Sequence, residues 1–217
     1  MIKKFTPFTK IDTTEMSIYV NSMYEVLIAM DKNLIPNEKD YSIKELTNYI
    51  KSLIKNQRND LNNIQDGSWS VAPDTMMPSD ARVDFNFRPT YIAISTLTIF
   101  NFRYPDIVNE ISNFKKALKS GMLFSTYRGL SGHGYGGTYG MIDAMKILSI
   151  GKVPLYLYEN PEFSPELNQI VMESIKYIQE SLNSGDTKGA WGEDYREDFS
   201  SILELIKLKN GNELLSS

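Results

Sequence analysis

The stretch TYIAISTLTIF, residues 90–100, decides the fold class. Its isoleucines, threonines and aromatic rings suit a strand, because branched side chains pack well on a pleated surface. It is also apolar almost all the way round, which suits a helix buried on every side. The neighbouring sequence favours the helix. Pro89 stands directly before it, and proline is at home in the first turn of a helix, where its missing N–H has no partner to lose. Nor does the rest of the chain carry a convincing alternation of apolar and polar residues. The stretch is therefore expected to be an inner helix, and the fold class all-α.

Amphipathic stripes flank it on both sides. Met16, Val20, Met23, Leu27 and Met30 recur at helical spacing, and Ile43, Leu46, Ile50, Leu53 and Ile54 do so after a break at Pro36. Ile107, Ile111, Phe114 and Leu118 give a further stripe, with Gly121 expected as its C-cap. Met141, Met145 and Leu148 run up to Gly151. Ser164–Pro165 is an N-cap and first-turn pair that opens a helix carrying Leu167, Val171, Ile175, Ile178 and Leu182. A last helix carries Phe199, Ile202, Leu203 and Ile206. Residues 65–87, with Pro73 and Pro78, are expected to form a long loop of the kind that often carries function.

A chain of 217 residues, 41% hydrophobic and 23% charged, can bury a core without a metal or a disulfide. It has no cysteine, which excludes disulfides, thiolate zinc sites and cysteine nucleophiles. A net charge of -4 argues against a nucleic-acid surface. The first residues, MIKKFTPFTKIDTTEM, hold no apolar run long enough for a signal peptide, and no stretch is long enough for a transmembrane segment. A soluble, cytoplasmic protein is the expectation.

Internal repetition organises the rest. GYGGTYGMIDAMKIL (134–148) aligns beneath AWGEDYREDFSSILEL (190–205), so that Tyr135 falls on Trp191, Gly136 on Gly192 and Tyr139 on Tyr195. A third copy, QDGSW (65–69), also lies between two helices. The unit is a helix, a loop with glycine and an aromatic residue, and a second helix. Glycine permits the tight turn, and the ring can fill the groove that ties one hairpin to the next. A hairpin alone cannot bury its apolar face, so such units stack.

QDGSW and GAWGEDY resemble the glutamine–tryptophan repeats of squalene and oxidosqualene cyclases, whose architecture is shared with the β-subunits of protein prenyltransferases. The resemblance covers about residues 42–208. It implies a single domain over 1–217, made of stacked helical hairpins in a partial or small α/α toroid, with 1–36 as an N-terminal helical extension. It also implies a substrate held in an aromatic-lined cavity, as in a terpene cyclase or prenyltransferase. The chain departs from those families where it matters chemically: the cyclases' Asp-x-Asp-Asp motif and the prenyltransferases' zinc-binding cysteine are both missing.

Candidate chemistry gathers in three places. GHGYGGTYG (132–140) holds the only histidine, His133. Its G-x-G-x-x-G spacing lacks the strand and βαβ unit that a dinucleotide site requires, so the glycines are read as a repeat turn. Histidine is the side chain whose unperturbed pKa lies near neutrality, so His133 could act as a general acid or base with Glu193 or Asp194 as its carboxylate partner; the alternative is a turn histidine bonded to backbone. WGEDYRED clusters carboxylates that could work as a pair on a glycan or simply complement a helix start. SDARVDFNFRPTY sets Asp84 and Arg82 among Phe87 and Tyr91, a mixture suited to a cavity wall or to a pinned surface loop.

The expected catalytic set is therefore His133, Asp84, Glu193 and Asp194. Trp69, Arg82, Phe87, Tyr91, Tyr135, Tyr139, Trp191 and Tyr195 are the expected substrate contacts. An enzyme would gather the catalytic set within about 10 Å around one concavity. One histidine with scattered carboxylates is a poor zinc site, so no metal is expected, and nothing indicates a particular cofactor. A small molecule or glycan is the expected ligand; a non-catalytic binding module, or a ring completed by a second copy or a partner subunit, is the alternative.

Overall fold

The computed structural model describes residues 16–32, 43–59, 66–70, 86–126 and 137–173. These residues are helical, with no strand among them. In order they form α1 (Met16–Asp31), α2 (Ile43–Lys55), α3 (Phe87–Arg103), α4 (Pro105–Glu110), α5 (Phe114–Thr126), α6 (Gly137–Ile150) and α7 (Val153–Glu159). A further helical segment, 165–173, follows Ser164, whose carbonyl accepts the Asn168 N–H at 3.0 Å. The expected start at Ser164–Pro165 is thus observed.

α3 is the axis of the described bundle, and α1, α4, α5, α6 and α7 all pack on it. Every residue from Pro89 to Phe100 is buried. An isoleucine or threonine in a helix costs at most about 0.7 kcal/mol relative to alanine. Full burial of an isoleucine, leucine or phenylalanine side chain contributes roughly 1.5–3 kcal/mol. Burial therefore outweighs propensity at Ile92, Ile94, Leu97, Ile99 and Phe100. The buried hydroxyls are accommodated within the helical geometry: Thr90, Thr96 and Thr98 each donate to the carbonyl four residues back, and Ser95 donates across to the Ile147 carbonyl at 3.0 Å.

The stripe expected over 107–118 is two helices rather than one. Ile111 is extended after α4, and Asn113 takes the left-handed conformation, φ 64°, before α5 begins. Asparagine adopts that region more readily than most residues. Val108, Ile111, Phe114 and Leu118 still face the core across the break, which is why the periodicity survives. Gly121 lies inside α5 and caps nothing. A Cβ there would stand 2.7 Å from both Ile94 Cγ2 and Trp69 Cζ3, so close approach is what keeps it a glycine. α7 has no counterpart in the sequence reading, because seven residues, VPLYLYE, are too few to show a helical period.

Contacts along α3 set the directions of its neighbours. Phe87 meets Phe124 and Phe100 meets Phe114, with ring centroids 5.0 and 6.2 Å apart, so α5 runs antiparallel to α3. Arg88 meets Asp143, and Ser95 meets Ile147 and Gly151, so α6 runs parallel to α3. The start of α3, the start of α6 and the end of α5 consequently lie at one end of the bundle.

Candidate functional site

The DGSWS segment, 66–70, is held by polar contacts to α2, to α3 and to the chain that follows α2. Trp69 is wholly buried; its indole N–H donates to the Leu53 carbonyl in the last turn of α2 at 2.7 Å, and its backbone N–H donates to Thr90 Oγ1 at 2.9 Å. Its ring lies against Gly121 of α5. Gln57 Nε2 donates to the Gly67 carbonyl at 2.9 Å and to the Ala117 carbonyl at 2.8 Å. Arg58 pairs through its backbone with Gly67 and Ser68. Gly67 has φ 81° and abuts the Ser120 backbone, so both its conformation and its surroundings exclude a side chain. The segment therefore joins α2, α3 and α5.

That placement defines the role of the described aromatic candidates. Trp69, Phe87 and Tyr91 are all 0% exposed, and Phe87 stacks with Tyr91 at 6.2 Å. All three rings pack within the core, and Trp69 adds its two hydrogen bonds there. Tyr139 falls in the first turn of α6. Asp84, Arg82, His133, Tyr135, Trp191, Glu193, Asp194 and Tyr195 lie outside the described residues.

The polar feature that does face outward is at the end where α3 and α6 begin. Arg88, the second residue of α3, donates from Nε to Asp143 Oδ2 of α6 at 3.0 Å, and its guanidinium carbon sits 5.4 Å from the centre of the Tyr24 ring on α1. Arg88 and Asp143 remain 29% and 26% exposed, so the pair contributes about 0.5–1 kcal/mol and stays within reach of a ligand. Three helices are pinned together there by one side chain. The sequence offered a signal for Asp143: it and Lys146 are the two charged residues in the run MIDAMKIL, and it is the one carboxylate. Tyr24 gave none, because it lies off the stripe of its own helix.

This pair marks the attachment points of two candidate segments. Asn86, which follows 71–85, and Thr126 and Gly137, which bracket 127–136, all belong to the same end of the bundle. α6 begins six residues before Asp143, a rise of roughly 9 Å at 1.5 Å per residue. Asn86 thus stands two residues before Arg88, whereas Gly137 stands roughly 9 Å along α6 from Asp143.

Among the described residues no group of three acidic or histidine side chains is arranged to hold a metal ion, and no described helix is long and apolar enough to cross a membrane. No protein family, curated protein or solved structure matches the chain.

Proposed function

We propose that the chain is a toroid-type domain of stacked helical hairpins that binds a hydroxyl-rich, glycan-like substrate at the end where α3 and α6 begin. His133 serves as the acid–base residue with Glu193 or Asp194 as its carboxylate partner, and Asp84 completes the catalytic set. The observation that carries this reading is the common end shared by Asn86, Thr126 and Gly137, which also holds the partly exposed Arg88–Asp143 pair. A guanidinium bonded to a carboxylate beside an aromatic ring is a combination that recognises hydroxyl groups and ring faces together. The burial of Trp69, Phe87 and Tyr91 favours a polar substrate over a hydrocarbon one, because those rings are committed to the core.

An isoprenoid substrate is the second reading, favoured by the manner in which the buried Trp69 of DGSW ties α2 to α3 and α5. Thermal unfolding with panels of oligosaccharides and polyprenyl diphosphates separates the two. A ligand at a hundred times its Kd adds about 2.7 kcal/mol, a rise of roughly 5–10 °C for a domain of this size. An oligosaccharide is expected to give the shift. A shift with polyprenyl diphosphates alone moves the assignment to the second reading, and none with either panel removes both. With an active oligosaccharide in hand, His133→Ala is expected to keep the thermal shift and lower turnover by about 100-fold or more.

A further inference from the structure

We draw no further inference here: the strongest candidate, the exposed face of α5 where Lys115, Lys116 and Lys119 run up to Leu123, carries nothing, because nothing in the structure shows what covers it.

Discussion

Helix α3 is closed on its α5 side by an inserted aromatic ring and on its α6 side by bare backbone. On the first side, the space left by Gly121 is filled by Trp69, a side chain that arrives from the DGSW segment and is bonded to Leu53 of α2. On the second, Gly151 lies directly against Ser95, so near that a Cβ would meet Ser95 Cβ and Cα, with the Ser95 carbonyl oxygen at 2.7 Å. Nothing is interposed. One helix thus uses glycine for two purposes: to admit a large side chain from elsewhere, and to bring two helices together without one. The α5 side gains stability from a third element, whereas the α6 side has none inserted at Gly151 and is joined there by close approach, the Ser95–Ile147 hydrogen bond and core packing.

The heaviest blow to this arrangement is the loss of the ring. Trp69→Ala removes a wholly buried indole and leaves a cavity shared by α2, α3 and α5, at an expected cost of about 3–5 kcal/mol. That is a large part of the stability of a typical domain. Urea unfolding followed by circular dichroism measures it. A loss under about 1 kcal/mol would mean that the ring does not bind the helices together.

The two glycines should then part company. Gly151→Ala pushes a methyl group into Ser95, where backbone must move, and is expected to cost about 1–3 kcal/mol. Gly121→Ala meets two side chains instead, Ile94 and Trp69, and gains up to about 1 kcal/mol of helix propensity inside α5. It should therefore be the milder change when the two unfolding free energies are compared. Combined with Trp69→Ala, Gly121→Ala should cost less than it does alone, with a coupling of about 0.5–2 kcal/mol, while Gly151→Ala should simply add. Equal effects in both backgrounds would erase the distinction between the two sides.

The sequence made one of these sides legible and hid the other. TYIAISTLTIF announces a helix buried all round, because no exposed face interrupts it, and the stripes of α1 and α2 announce helices packed on a core. Gly121 and Gly151 look alike in sequence, each at the end of an apolar stripe, and the expected C-cap is Gly121. Only Gly151 follows a helix end, and the left-handed residue there is Lys152, φ 58°, rather than the glycine. What fixes Gly151 is Ser95, more than fifty residues away, a contact that local rules cannot contain. The break at Asn113 was hidden for a similar reason: the apolar period runs on through it because both helices face the same core. At the candidate site, Arg88 lay within SDARVDFNFRPTY, but Asp84 and Arg82 were the charged residues that stretch put forward. The partners of Arg88, Asp143 and Tyr24, required the parallel course of α3 and α6 and the packing of α1, which tertiary structure alone supplies.

The smallest effect lies where the α6 side ends and aromatic packing returns. Tyr156 of α7 meets Phe102 of α3 edge-on at 6.1 Å and Phe163 at 5.3 Å, so the bare contact at Gly151 gives way to rings at the end of α3. Burial raises the Tyr156 pKa above its usual 10.0, and the nearby Glu162 carboxylate raises it further. The folded protein therefore keeps this phenol proton over a range in which the unfolded chain loses it. The stabilisation is complete below pH 10.0 and is lost as pH rises from there through the folded value, at no more than about 1.4 kcal/mol per pH unit. Tyr156→Phe has no proton to lose and should fall less steeply above pH 10.0, whereas below it the two proteins should share one pH profile. Urea midpoints taken on both sides of that pH give the comparison, and the other tyrosines cancel between the two proteins. Parallel decline of wild type and variant through the alkaline range would mean that Tyr156 ionises as freely in the fold as outside it, and that the ring cluster closing the α6 side is open to water.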